Sequence, residues 1–188
     1  MGQKHMVEHA SWIYPSEDIG EVCPVFRKHF TARPGAAAKL EITAFGVYEA
    51  FLNDQRIGRF FLAPGWTSYP ARLQVQTYDL TELLREENEL TVTLGKGWFA
   101  GRISAGVYQA IADGPRLLAA LHLTDADGTR EYATDESWQW AESPIRFSDI
   151  YDGEAYDARV TLENWRFCRT DGCGKQMLIP QEGEIVTE

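Results

Sequence analysis

The sequence predicts an all-β fold, an antiparallel jelly-roll β-sandwich with at most one short helix. Three observations predict it. Short stretches of period-2 alternation recur along the chain, the strictest at 39–44, where Leu40, Ile42 and Ala44 face one way and Lys39, Glu41 and Thr43 the other. Turn signals separate these stretches, chiefly Asn53-Asp54-Gln55-Arg56, Pro64-Gly65 and Asp125-Ala126-Asp127-Gly128. Aromatic residues make up 12% of the chain, with six Trp, and no long periodic block of Ala, Leu, Glu and Lys announces a helical bundle.

Taken in order, residues 1–24 read as an entry segment, with Trp12 and Ile13 docking and Pro15 and Pro24 interrupting regular structure. The first strand spans Val25 to Phe30. The 39–44 strand follows, Gly46 breaks it, and Val47 to Leu52 resumes the alternation. The 53–56 turn leads into a further strand from Ile57 to Leu62, a hairpin by local chemistry, and Pro64-Gly65 turns the chain toward a strand at Gln74 to Tyr78. Asp79-Leu80-Thr81-Glu82 places a capping acid three residues before a glutamate, so Leu80 to Glu86 is expected to be a short helical crossover. Glu89 to Leu94 alternates again. Leu117 to Thr124 and Arg130 to Thr134 flank the Asp125–Gly128 turn, the strongest hairpin signal, and Trp138 and Trp140 share a strand face. The sandwich is thus expected over residues 25–164, with 165–188 as a tail or linker.

The chain has 188 residues, enough for one substantial core. Its net charge of −10, without a basic stripe, argues against nucleic acid as a partner. No signal-like apolar stretch opens it and no run approaches the roughly 20 apolar residues that span a bilayer, so no membrane partner and a cytoplasmic location are expected. Cys23, Cys168 and Cys173 form no disulfide framework. Cys168 and Cys173 lack a second ligand pair for zinc, and the four His are dispersed.

The most chemical stretch is SDIYDGEAYDAR, 148–159, with four carboxylates and two tyrosines in twelve residues. Acceptor oxygens beside aromatic rings suit a sugar, whose apolar C–H faces stack on rings while its hydroxyls need fixed partners. Asp149, Asp152 and Glu154 are the candidate acceptors. GKGWFAGR, 95–102, adds Trp98 as a ring and Arg102 as a fork of donors, bracketed by Gly95, Gly97 and Gly101, which would let backbone approach a ligand; Trp66 and Tyr69 form a second candidate platform. The same residues also fit a plainer role, with the tryptophans in the core, the glycines in turns and the acids paired with Arg146 and Arg159. Two of Asp149, Asp152, Glu154 and Asp157 could in principle form a glycosidase pair, since residues two apart on a strand lie near the required separation of about 5–9.5 Å. The chain lacks a GxxxxGK[ST] loop, a GxSxG elbow and HExxH.

Four stretches in fixed order, GVYEAFLNDQRIG (46–58), APGWTSYPARLQVQTYDLTELL (63–84), LGKGWFAGR (94–102) and SDIYDGEAYDAR, resemble the N-terminal domain of bacterial α-L-rhamnosidases of glycoside hydrolase family 78. The resemblance runs from about Trp12 to the closing LIPQEGEIVTE. It implies a jelly-roll domain preceding a catalytic barrel of paired helices, which carries the acid and base of an inverting mechanism. The expected partners are therefore an L-rhamnose-containing glycan or glycoside and the catalytic domain of the same parent chain. The chain itself would be non-catalytic, assisting recognition or packing against that barrel. Asn53-Asp54 departs from the family's common Asn-Gly. Related sandwich domains bind L-rhamnose through calcium, so calcium is possible here as a cofactor, with no residues assigned to it.

Overall fold

The structure, a computed structural model, describes residues 6–104, 107–108, 114–171 and 177–181. The alternation at 39–44 and the mixed run after Arg116 define its central pair. In chain order the elements are β1 (Trp12–Tyr14), β2 (Pro24–Thr31), β3 (Ala37–Phe45), β4 (Val47–Leu52), β5 (Gln55–Arg56), β6 (Arg72–Asp79), β7 (Glu87–Gly95) and helix α1 (Gly97–Ala100). There follow β8 (Arg102–Ser104), β9 (Val107–Tyr108), β10 (Arg116–Asp125), β11 (Gly128–Ala133), β12 (Gln139–Glu142), β13 (Ile145–Asp149) and β14 (Gly153–Tyr156). The last three are β15 (Arg166–Phe167), β16 (Arg169–Asp171) and β17 (Met177–Pro180).

One sheet runs β16-β1-β10-β3-β6-β17 with β11 also on β10; the other runs β15-β12-β2-β7-β4-β5. Numbering β1 to β7 and β10 as eight consecutive strands, the first sheet reads 1-8-3-6 and the second 2-7-4-5. The chain therefore crosses between layers at nearly every connection, which is the jelly roll expected from sequence. The pairings are antiparallel except for β17 beside β6, which is parallel.

Between the layers, Leu40, Ile42 and Ala44 of β3 register with Leu121, Ala119 and Leu117 of β10. They meet Phe26, Leu90, Val92, Leu94, Trp138 and Trp140 of the facing sheet in one buried cluster. Strand β10 is buried on both faces, because Leu118 and Ala120 point the other way into a second cluster with Trp12, Phe45, Tyr69, Leu73 and Phe99. That double burial explains its continuous apolar run where β3 and β7 alternate. The Trp pair is fully buried and satisfied: Trp138 Nε1 donates to the Ala133 carbonyl at 2.9 Å and Trp140 Nε1 to Ser16 Oγ at 3.0 Å.

Three expectations are corrected. Residues 57–62 form no strand beyond β5. Asn53 (φ 53°) and Asp54 (φ 66°) make the left-handed hairpin turn, but Arg56 then donates to the carbonyls of Gly58 (3.1 Å) and Phe60 (2.7 Å) and curls the segment. The Leu80–Glu86 helix shrinks to a 3₁₀ turn at Thr81–Leu83. The Asp79 carboxylate does cap the Thr81 N–H (2.9 Å), but Leu80 is drawn into the core and Asn88 takes the Arg85 N–H and donates to its carbonyl, closing the turn early. Finally, the sandwich does not stop at 25 and 164. Strand β1 lies between β16 and β10, and β15, β16 and β17 add to both sheets, so the flanking segments complete the layers.

Because Trp140 is fully buried in the inter-sheet core, Trp140→Ala should lower unfolding free energy by about 3–5 kcal/mol. The readout is the urea midpoint at unchanged m-value; a loss under about 1 kcal/mol would contradict the packing described.

Candidate functional site

One end of the sandwich gathers the chemistry. The register brings the close of β3, the start of β4, the end of β7 and the starts of β2 and β10 to one edge, with Phe45 opposite Arg116, Val47 opposite Gly95 and Val25 opposite Thr93. Leaving β7, the chain turns at Gly97, whose φ of +51° and whose position, with an added Cβ only 2.5 Å from Val47 Cγ1, admit no larger residue without movement. Helix α1 thereby folds back onto the outer face of the first sheet. Phe99 is its anchor, in a run of rings in which Trp12 stacks on Phe45 (4.5 Å), Phe45 packs on Phe99 (4.6 Å) and Tyr69 meets Phe99 edge-on (5.3 Å).

The next glycine admits a carboxylate. A Cβ on Gly101 would lie 2.8 Å from Asp149 Oδ2. In its absence Asp149, at the end of β13 and 7% exposed, reaches across to accept the Arg102 backbone N–H on Oδ2 at 2.8 Å. Its Oδ1 accepts the N–H groups of Tyr151 (2.8 Å) and Asp152 (3.1 Å), closing the β13–β14 turn. Burial works to raise the Asp149 pKa, but the three N–H donors and the nearby Arg102 charge outweigh it and hold the carboxyl below its ordinary value.

This anchor sets three side chains at the surface. The Arg102 guanidinium donates through both Nε (3.0 Å) and a terminal nitrogen to Asp152, and lies 5.3 Å from the Tyr151 ring centre. Tyr151 is 54% exposed. Glu154, one residue into β14, is exposed and lines a shallow cavity of about 280 Å³ with Glu49, Phe61, Leu62 and Ser148.

The structure thus brings together Arg102, Asp149 and Asp152, with Glu154 close by on the same hairpin. The other candidates separate. Tyr69 is 1% exposed and belongs to the second core, so it cannot be a sugar platform; its hydroxyl pKa is pushed up by burial. Trp98 is half-buried against that same core. Trp66 is open to solvent at 69%, on the loop before β6. The glycines of 95–102 pack closely against Val47 and Asp149. Sequence reasoning missed Tyr151 as the exposed ring. The Asp-x-Tyr-Asp spacing of a turn closed by its own first side chain was the available signal.

The carboxylates are not arranged as an acid and a base. Asp149 is spent on backbone N–H groups, Asp152 on Arg102, and Asp157 on a two-point bond with Arg159 (2.8 Å on each oxygen), which together with the Arg159 N–H holds its pKa down. A general acid needs the opposite shift. Among the described residues no group of three or more His, Cys, Asp or Glu side chains could hold a metal ion. Cys23 and Cys168 are buried free thiols, their pKa values pushed up by burial to about 11 and about 12; Cys173 lies outside the described residues. Among those residues no helix is long and apolar enough to cross a membrane.

A jelly roll that gathers its ordered polar turns at one loop end defines a β-sandwich module. Its family is shown by comparison: residues 34–177 match the model of the α-L-rhamnosidase N-terminal domain, and the chain belongs to that family. It is 44% identical over 130 residues to an α-L-rhamnosidase of Streptomyces avermitilis, covering 68% of this chain and 13% of the relative. Among solved structures, the native α-L-rhamnosidase of Aspergillus terreus superposes with a TM-score of 0.82 at 36% identity, over 93% of this chain and 22% of that one. The Streptomyces avermitilis α-L-rhamnosidase complexed with L-rhamnose gives 0.77 at 33%, over 85% and 17%. The chain therefore spans less than a quarter of each of these three α-L-rhamnosidases.

Asp149→Asn should cost about 2–3 kcal/mol, because two acceptor oxygens serving three donors become one neutral acceptor. The depressed pKa gives the sign with pH: the contribution is present above the unfolded carboxylate value of about 3.9 and is lost as pH falls through the lower folded value. Chemical denaturation from pH 7 down to pH 2 should show the difference between wild type and variant shrinking over that acid limb; a constant difference would contradict the assignment.

Proposed function

We propose that this chain is the non-catalytic recognition domain of an α-L-rhamnosidase, and that it presents Tyr151 with Arg102 and Asp152 to an L-rhamnoside held for hydrolysis by another part of the parent enzyme. The observation that carries the reading is the buried Asp149 carboxylate. A merely solvated acidic loop would not need one side chain to take three backbone N–H groups in order to fix its turn. What that turn holds is an aromatic face beside a paired donor and acceptor, the complement of a deoxyhexose with one apolar face and adjacent hydroxyls. The family supplies the substrate class, since relatives over this region are α-L-rhamnosidases. A reducing, cytoplasmic setting belongs to this reading and is supported by the free thiols Cys23 and Cys168.

A second reading has the domain brace the catalytic barrel. It is favoured by exposed Ile150, Tyr156, Leu162 and Phe167, all on the stretch from the β13–β14 turn to β15. The two roles are compatible, because a domain that docks beside a catalytic cleft can also lend a turn to it. A stand-alone glycosidase has no such support, given how the carboxylates are committed.

Calorimetric titration of the chain with L-rhamnose, with and without a chelator, tests the first reading. Saturable heat with Kd below about 1 mM, equivalent to about −4 kcal/mol, is expected in both conditions, and Tyr151→Ala should weaken it about tenfold without loss of fold. Absence of saturable binding by the wild type would leave bracing as the domain's role.

A further inference from the structure

The same end of the sandwich carries a groove that the 148–157 turn does not account for. It lies between the 14–24 segment, which links β1 to β2, and the residues that close β7 and open β10, and its volume is about 570 Å³. That is within the about 300–1,000 Å³ typical of small-molecule sites. Its walls share Cys23 and Leu94 with the cavity that Glu154 lines, so the groove adjoins the candidate site.

Two ion pairs frame it. Arg116, only 8% exposed, places Nε 2.7 Å from Asp171 Oδ2 and reaches toward the 14–24 segment, with its guanidinium centre 5.3 Å from the ring of Tyr14. Lys96 likewise pairs across with Glu21 of that segment and lies 5.7 Å from the Phe147 ring. Ile19, Val22 and Pro115 supply apolar wall between them. Each cation thus already has its counter-charge, and Glu17 and Asp18 at the groove add negative charge in a chain whose net charge is −10. Such a lining disfavours an anion. It offers fixed donors, fixed acceptors and apolar surface in alternation, which a neutral polyhydroxylated ring matches better than a charged or a wholly apolar ligand.

We infer that this groove is a second carbohydrate subsite, binding a neutral glycosyl residue between the Arg116–Tyr14 pair and the Lys96–Glu21 pair. The inference rests on the recognition role proposed above and extends it from the exposed turn to the adjoining groove. It also gives the 14–24 segment a purpose, since that segment contributes one whole side of the groove.

The test is an amide chemical-shift titration of the ¹⁵N-labelled chain with methyl α-L-rhamnopyranoside, with sodium D-galacturonate as the anionic comparison. Saturable shifts at Gly20, Glu21, Lys96 and Arg116 with the neutral glycoside, and at least tenfold weaker response to galacturonate, are expected. Glu21→Gln and Lys96→Ala, both lining the groove, should each weaken the neutral ligand at least fivefold at those amides. Shifts confined to Tyr151, Asp152 and Gly153, with affinity unchanged in both variants, would overturn the groove while leaving the recognition role standing. A preference for galacturonate would overturn the neutral-ligand assignment, and no shifts anywhere would overturn both.

Discussion

The loop end of this domain depends on one buried carboxylate. Asp149 joins two segments that are far apart in sequence, taking the Arg102 N–H from the chain leaving α1 and the N–H groups of Tyr151 and Asp152 from its own turn. A carboxylate that accepts several backbone donors is stabilised in its charged form, which offsets the desolvation it suffers on burial. Gly101 is the steric condition for this, because a Cβ there would press against both Asp149 Oδ2 and the Gly97 carbonyl. Without the bond, the surface pairing of Arg102 with Asp152 would be left to tie the β13–β14 hairpin to β8, and the placement of Tyr151 against Arg102 would loosen.

The anchor works because the layers beneath it are rigid. The jelly-roll path returns the chain to the same edge at the close of β3, of β7 and before β10, so separate loops converge there without needing contacts of their own. Helix α1 is then fastened to the first sheet by the rings of Trp12, Phe45, Phe99 and Tyr69. Rings at 4.5 to 5.3 Å bury much apolar surface and leave little freedom to the short 95–102 loop. The site residues are mounted on two cores, one between the sheets and one outside them.

Much of this was legible in the sequence. Alternation at 39–44 and 89–94, the Asp125–Gly128 turn and the paired Trp138 and Trp140 reported the fold, because a half-buried strand must alternate and a tight hairpin demands specific turn residues. The motif at 148–159 and Arg102 of the 95–102 loop stood out as residue types whose density exceeds what packing needs, and the structure brings Arg102, Asp149 and Asp152 together. The misreadings have physical causes. Tyr69 lies in a second core and Trp98 packs partly against it, which a local pattern cannot show because that core covers the outer face of the first sheet. The strand expected at 57–62 was undone by Arg56, whose side chain captures carbonyls a few residues on. The flanking strands β1 and β15 to β17 are two to four residues long, too short for periodicity to register, and their pairing partners lie more than a hundred residues away for β1. The groove beside the site was invisible for the same reason, since its two walls come from segments separated by roughly seventy residues or more.

A crystal structure of the chain grown with methyl α-L-rhamnopyranoside tests the central claim most directly. The account predicts the sugar at the loop end organised by Asp149, its apolar face or hydroxyls in contact with Tyr151, Arg102 or the adjoining groove, and the Asp149 hydrogen bonds unchanged from the free domain. A sugar seated instead on the outer face of either sheet, or at the opposite edge near the Asp125–Gly128 turn, would contradict it.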